Sequence, residues 1–295
     1  MPLLGHKALA FVEQYCRPLE YHLLRWLLGF GNAAAVVGEL SAYQNPDGGF
    51  GHGLEPDFWL PDSSPMATSR ALQILVELPG DDARRMEQQA VSYLDASFDR
   101  ETLQWESVPA SVNEYPHAPW WHYSNELSGH WGNPTAELIG YCAKLTPSTG
   151  YWQEVALGEV KSRLLGLGAA ATEEHELYCF NRCLQMVPQL QTPELVQHLA
   201  ELASRHTARS AAEWVSYRPQ PLHYVTRPDH ILEPYYRETL PANFRFWEQS
   251  LSADGVWHPN WQWGQYEEAW ATARLQWIGV LTAERAAVLR AFGRL

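Results

Sequence analysis

The sequence predicts an all-α fold of the α/α-toroid type, two concentric rings of alternating inner and outer helices, in a single domain over residues 1–295. Three observations predict it. Segments apolar on every side of a helix alternate with segments apolar on one face only. A unit of helix, glycine-containing turn and second helix recurs along the chain. No segment shows the two-residue alternation of a half-buried strand. The 295 residues are 46% hydrophobic and 19% charged, enough to build a sizeable core, and no Gly/Ser-rich or Pro-rich linker divides them.

The clearest unit runs from a helix over 32–43 through Asn45-Pro46-Asp47-Gly48-Gly49-Phe50 and a long loop to a helix over 65–78. That second helix carries Met66, Ala67, Ala71, Leu72, Ile74, Leu75 and Val76 around its whole circumference, so protein must enclose it. Ser64-Pro65 and Asn133-Pro134 place an N-cap residue before a proline at the first helical position. A degenerate middle unit has helices over 83–97 and 134–145 with a turn at 99–105. A helix over 173–188 is again apolar all round, and Thr172 ahead of Glu173 and Glu174 suits its positive end. The helix over 193–206 is one-sided: Leu195, Val196, Leu199 and Leu202 oppose Glu194, Gln197, His198 and Glu201. The last unit closes a helix at Phe246-Trp247-Glu248-Gln249, turns at Ala253-Asp254-Gly255-Val256-Trp257, and continues as an enclosed helix over 266–281. Further helices are expected over 6–29, 149–166 and 283–292.

The turns have a common logic. Gly48, Gly49 and Gly255 permit positive φ, Asp47 and Asp254 can accept from their own turn backbone, and Phe50 and Trp257 pack it down. Gln44 and Gln249 are placed to reach backbone groups at a neighbouring helix end. Gln44-x-x-Asp47-Gly48-Gly49-Phe50 and Gln249-x5-Gly255-Val256-Trp257 resemble the glutamine–tryptophan repeats of squalene–hopene-type cyclases. Protein prenyltransferase β subunits share that helical barrel. The resemblance implies a toroid with a small-molecule ligand in its central cavity. The motifs that carry activity in those branches are missing. No Asp-x-Asp-Asp occurs, Asp81-Asp82 lacks the third acid of a magnesium-binding Asp-Asp-x-x-Asp, and no cysteine takes the place of the zinc ligand. Neither a metal nor an organic cofactor is expected.

Charge narrows the partners. With 21 Lys and Arg against 34 Asp and Glu the formal net charge is −13, which repels nucleic acid and anionic lipid. No run of 18 apolar residues predicts a membrane span, and Met1 to Lys7 lacks the pattern of a secretory signal. Cys16, Cys142, Cys179 and Cys183 fall within apolar helical patterns, as reduced thiols of a cytoplasmic protein would.

The chemistry is expected in three long loops at one mouth of the barrel, 51–64, 105–133 and 257–266. The first holds Glu55, Asp57 and Asp62 beside His52 and Trp59, stiffened by Pro56 and Pro61. Asp57 is the candidate acid, kept neutral by burial and by repulsion from Glu55 or Asp62. Raising an aspartate from about 3.9 to near 7 takes roughly 4 kcal/mol. Alternatively these acids only fix the loop and cap the following helix. Among the fourteen tryptophans the three loops carry Trp59, Trp120, Trp121, Trp131, Trp257, Trp261 and Trp263. The expected substrate-binding set is His52, Trp59, Trp120, Trp121, His122, Trp131, Trp261, Trp263, Tyr266 and Glu267. Arg70 is placed to meet an anionic group or a neighbouring carboxylate, and 227–236 either closes the mouth or serves as a connector.

Three functions fit. A cyclase-type enzyme would use Asp57 as acid on an apolar, isoprenoid-like molecule, with indole faces steadying a cation. A carbohydrate-active enzyme, glycosidase or lyase, would pair Asp57 with Glu267 or Glu268 across a wet cleft. A non-catalytic binding or scaffold protein would need neither.

Overall fold

The computed structural model describes residues 4–124, 130–146, 151–168 and 173–295. Among them the chain is all-helical, with thirteen α-helices and no strand. In order these are α1 (His6–Tyr15), α2 (Pro18–Leu27), α3 (Ala33–Leu40), α4 (Pro65–Leu75), α5 (Asp81–Ser97), α6 (Gly132–Leu145) and α7 (Tyr151–Gly166). They continue as α8 (Glu174–Met186), α9 (Pro193–His206), α10 (Pro221–Tyr224), α11 (Glu233–Tyr236), α12 (Leu240–Gln249) and α13 (Glu267–Ala291). No described helix is long and apolar enough to cross a membrane.

The contrast between enclosed and one-sided helices follows the apolar pattern. In α4 eight of eleven residues are buried, whereas α5 buries five of seventeen and α9 five of fourteen. Helix α6 packs against α4, α5, α7 and, most extensively, α8. The α6–α8 approach is close at Gly140, where a Cβ would stand 2.8 Å from Met186 and 3.0 Å from Cys183. Helix α13 lies along α2 in the same manner, with Gly279 against Cys16 and Glu20. One apolar cluster runs through these interfaces, from Leu4 to Leu289, and each fully buried Leu or Phe in it contributes about 1.5–3 kcal/mol. All four cysteines are free, and burial pushes the Cys16 and Cys142 thiols up to about 12, so they stay protonated.

Several boundaries differ from the sequence reading, each for a local reason. The helix expected over 6–29 is two, because Pro18 offers no amide to a continuing ladder and holds Arg17 extended at ψ 150°. The helices expected over 266–281 and 283–292 are one. Thr282 is buried inside it and accepts the Trp257 amide at 3.3 Å instead of breaking it. The first half of α13 is also less enclosed than its apolar content suggests, since Ala271, Thr272 and Arg274 are exposed. Ser64 caps α4 as expected, accepting from the Ala67 amide at 3.1 Å. Asn133 does not cap: its carbonyl oxygen faces Cys179 Sγ. Thr172 lies outside the described residues, and Glu173 caps α8 by accepting from the Glu176 amide.

The two good turns keep their conformations but not all their expected ties. Gly48 and Gly255 sit at φ 91° and 78°, in the region glycine reaches without penalty. Gly49 does not need positive φ; it is required because a Cβ there would meet Ser63 at 2.6 Å. Asp47 accepts from the Gly49 amide (2.9 Å) and from the Ser63 hydroxyl (2.7 Å). Gln44 ties its own turn by donating to the Gly48 carbonyl at 3.1 Å, while Gln249 is exposed and Asp254 also faces solvent. In the last turn Trp257 does the tying, its indole donating to the Trp247 carbonyl and the Ser250 hydroxyl.

Candidate active site

Loop 51–64 is folded inward at its centre. Pro56 is buried, Glu55 and Asp57 are 7% and 5% exposed, and the Asp57 carbonyl accepts the Ala118 amide at 2.7 Å. The next residues pair with the second loop: the Trp59 amide donates to the Pro116 carbonyl and Phe58 meets Trp121 edge-on at 5.6 Å. The third loop joins them, with Gln265 donating to the His117 carbonyl and Tyr266 tilted against the His117 ring. Tyr266 holds φ 49°, an unusual angle for a bulky side chain, and this aims it back over the second loop.

Asp57 is the centre of this junction. The indoles of Trp263 and Trp277 both donate to its Oδ1, at 2.7 and 2.6 Å. Burial raises its pKa to about 6, against the lowering pull of these two donors and of the half-exposed Trp120 indole. Glu55 is pushed further, to about 8, first by burial and then by the Asp57 charge, with Arg70 and Arg17 opposing. Two carboxyl groups two residues apart are thereby separated in acidity, Glu55 neutral and Asp57 ionised near pH 7.

From Asp57 a continuous circuit of side chains can be followed. Trp277 meets Trp261 edge-on at 5.1 Å, and Trp261 meets Tyr217 at 5.5 Å. The Tyr217 hydroxyl bonds His175 Nε2 at 2.9 Å, while His175 Nδ1 is held by the Glu173 carboxylate. Burial opposes the imidazolium, but Glu173 outweighs it and His175 titrates above its ordinary value. Tyr178 links His175 to His223. On the other side Arg70 pairs with Glu284 and bonds Gln73, Gln73 donates to Glu137, and Glu137 pairs with Arg182 at 2.6 Å. The Arg70 charge acts on Glu55, opposing the effect of burial.

Two of these side chains, Arg182 and His175, are reached by water. Arg182 and His175 sit deep enough that burial is the largest influence on their charge. Yet they keep 40% and 44% of their side-chain surface accessible. Together the two facts place them at a concave part of the surface that water reaches. A separate recess of about 200 Å³, lined by Arg209, Trp214, Arg245 and Phe246, shares no residue with it.

The expected site residues divide. Glu55, Asp57, Trp59, Trp121, Trp263 and Tyr266 meet at the junction, Trp261 stands on the circuit, and Trp120 approaches Asp57. The others lie elsewhere. Asp62 is exposed and accepts only a long bond from Ser111, and exposed His52 bonds Asn45. His122 is exposed and stacked on His117. Trp131 is buried in the main core between Phe180 and Arg163, its indole bonded to the Leu103 carbonyl. Glu267 and Glu268 are exposed in the first turn of α13. Glu126, in the second loop, lies outside the described residues. The segment 227–236 is tied down as a connector, Arg227 to Glu77 and the Ile231 amide to Gln185.

Sequence reasoning missed Trp277, Tyr217, His175, His223 and Arg285. The one available signal was a line of polar residues on otherwise apolar helices: His175, Tyr178 and Arg182 on α8, and Trp277, Glu284 and Arg285 on α13. Among the described residues Glu173, Glu174 and His175 form the one group whose metal-ligand atoms lie within 4.8 Å of one another. Glu173 and His175 already bond each other, and Glu173 caps α8, so the trio is accounted for as structure.

Comparison of the chain with family models, with curated proteins and with solved structures gives no match.

Proposed function

We propose that the chain is an acid–base enzyme of the carbohydrate-active kind, a glycosidase or lyase, working in the central hollow of an α/α-toroid. The alternation of enclosed and one-sided helices supports the toroid. One observation carries the function: the surroundings of the split Glu55–Asp57 pair are charged and aromatic, with the Trp263 and Trp277 indoles on Asp57 and the Arg70 charge acting on Glu55. Arg182 and His175 keep 40% and 44% of their side chains accessible, and a hydrocarbon chain laid against them would strip that water without replacing it, at roughly 1–3 kcal/mol per group. A hydroxyl-rich ligand instead supplies partners to them, and indole faces suit its C–H surfaces.

In this reading Glu55 is the proton donor, being neutral near pH 7, and delivers its proton to the leaving oxygen. Asp57 is the carboxylate that takes a proton from water or from substrate carbon. The Trp263 and Trp277 indoles both hold Oδ1, and the Trp120 indole also acts on the carboxylate. The partner of Asp57 is thus Glu55, in place of the exposed Glu267 or Glu268. The test is a panel of α- and β-linked oligosaccharides, neutral and acidic, assayed for new reducing ends or unsaturated products. Turnover that falls at least 100-fold in Asp57→Asn and in Glu55→Gln, with unchanged melting temperature, is the expected result. A folded chain that neither cleaves nor binds any member of the panel ends this reading.

A second reading, the cyclase type, draws on one observation. Ala118, Trp263, Ala269 and Ala273 form a small apolar cluster apart from the main core, flanked by Trp59, Trp121 and Trp270. An isoprenoid-like chain would lie there, with Asp57 as acid. Cyclic products from polyprenols, polyprenyl diphosphates or squalene, lost in Asp57→Asn, would establish it in place of the first.

A further inference from the structure

Glu173, His175 and Tyr217 form a row in which each group fixes the next. One oxygen of the Glu173 carboxylate caps α8 by accepting the Glu176 amide at 3.1 Å, and the other holds His175 Nδ1. Burial pushes Glu173 up, but the His175 bond outweighs it and holds the acid below its usual range, so the carboxylate is ionised and can only accept. The neutral His175 ring therefore carries its proton on Nδ1, and the Nε2 lone pair faces the Tyr217 hydroxyl at 2.9 Å. A hydroxyl on an imidazole that a carboxylate orients from behind is the arrangement that activates an oxygen nucleophile.

The hydroxyl is open to a reactant. Tyr217 is 50% exposed, and its ring is steadied by stacking on His175 at 6.1 Å and by the edge contact with Trp261. Its segment is tied to the third loop where Asn260 donates to the Val215 carbonyl at 3.4 Å. Tyr15, Tyr235 and Tyr266 are as exposed, at 48%, 50% and 47%, but among the described residues none of their hydroxyls bonds a histidine. The neighbouring charge selects the electrophile. The ligand atoms of Glu173, Glu174 and His175 lie within 4.8 Å of one another, so two carboxylates border the row and repel a phosphoryl or other anionic group. An uncharged carbonyl meets no such repulsion.

We infer that Tyr217 is a nucleophile toward carboxylic esters, with His175 as its base and Glu173 as a positioning residue. The Tyr217 oxygen bonds the ester carbonyl carbon while its proton passes to His175 Nε2. The bond from that carbon to the alcohol oxygen then breaks, and the imidazolium gives the proton to the departing alcohol, leaving an acyl-tyrosine. Water, deprotonated by the same nitrogen, releases the acyl group as the carboxylic acid and restores the hydroxyl. The row shares no residue with the Glu55–Asp57 pair, and it stands whether or not that pair acts on carbohydrate.

Two measurements on the full chain test it. Phenylmethanesulfonyl fluoride sulfonylates an activated hydroxyl, forming an oxygen–sulfur bond with loss of fluoride, and peptide mapping by mass spectrometry locates the label. Burial and then the Glu174 charge push the Tyr217 hydroxyl above the ordinary phenol range, so it does not ionise alone near neutrality. Labelling of Tyr217 should nonetheless run at least about tenfold faster than that of Tyr15, Tyr235 or Tyr266, and His175→Gln should remove the preference. Burial lowers His175 and Arg182 adds to that, while Glu173 and Glu174 raise it and prevail. Glu173→Gln leaves an oxygen to accept but removes the charge, so the midpoint of the rise in labelling with pH should fall. The second measurement is release of p-nitrophenol from p-nitrophenyl acetate above the buffer rate, which should drop at least about tenfold in Tyr217→Phe with an unchanged melting temperature. Equal labelling of the four tyrosines, or release that Tyr217→Phe leaves as it was, overturns the inference. Selective labelling without ester cleavage overturns it as well. Should His175→Gln fail to fold, the comparison among wild-type tyrosines and the exposed Tyr217→Phe change still decide.

Discussion

Glu137 and Asp57 are both almost wholly buried, and the chain surrounds them with opposite kinds of partner. Glu137 receives Ser69, Gln73 and the Arg182 guanidinium, so its charge is neutralised and its oxygens are occupied. Asp57 receives two indole N–H groups on one oxygen and has no cation within ion-pair distance among the described residues. A buried carboxylate with a full set of partners holds helices together, here α4, α6 and α8. A buried carboxylate with neutral donors and an acidic neighbour is kept reactive, and its cost is borne by the fold around it.

The comparison can be broken most sharply on the Glu137 side. Glu137→Ala removes one member of an interior pair and strands Arg182, Gln73 and Ser69. The expected loss is about 3 kcal/mol of unfolding free energy, at the low end for buried pairs because Arg182 keeps 40% of its side chain accessible. Urea denaturation measures it; a change under 1 kcal/mol would mean that the pair is not what joins the three helices.

Asp57→Asn should do the reverse, costing about 10²–10⁴ in turnover on whichever glycan is cleaved while leaving the midpoint of unfolding unchanged or slightly raised. Loss of stability comparable to that of Glu137→Ala would put both acids in the same structural class.

pH sharpens the contrast further. Glu55 and Asp57 have folded-state pKa values raised above the unfolded ones, so between about pH 4 and pH 8 the native state binds more protons than the unfolded chain. The sign is fixed: their contribution to stability is fully present below the ordinary carboxylate range and is lost as pH rises through about 6 and about 8. Melting temperature measured from pH 5 to pH 9 should therefore decline more steeply in wild type than in Glu55→Gln. Parallel curves for the two proteins would refute the raised values.

Smaller effects come from the donors and from the rim. Trp277→Phe deletes one N–H from Asp57, and a hydrogen bond to a charged group is worth about 1.5–3 kcal/mol, so the acidic limb of the pH–rate profile should move up by roughly one unit. An unmoved limb would exclude Asp57 as the titrating base. Asp62→Asn, at the exposed end of the same loop, should change stability by less than about 0.5 kcal/mol and leave turnover as it was.

The loop acids were legible in part. Proline-braced Glu55 and Asp57 stood out by composition, but so did Asp62, which differs from them only in which way the chain turns between Pro56 and Ser64. Among the loop tryptophans Trp263 and Trp131 looked alike, yet one indole bonds Asp57 and the other bonds Leu103 in the core. The second donor to Asp57, Trp277, hid within an apolar helix pattern where a tryptophan reads as packing.

Local pattern alone determined that the chain is helical and that α4 is enclosed, though not that the first half of α13 is open, because periodicity, caps and glycine turns are encoded within a few residues of each other. It also located the two acids, since a rigid, polar loop before a capped helix is a local feature. Only the tertiary structure decided which acid has which partner. Asp57 finds Trp263 and Trp277 more than 200 positions away, Arg70 finds Glu284, and His175 finds Tyr217. Charge state in an interior depends on what surrounds a group in space, and sequence separation carries none of that information.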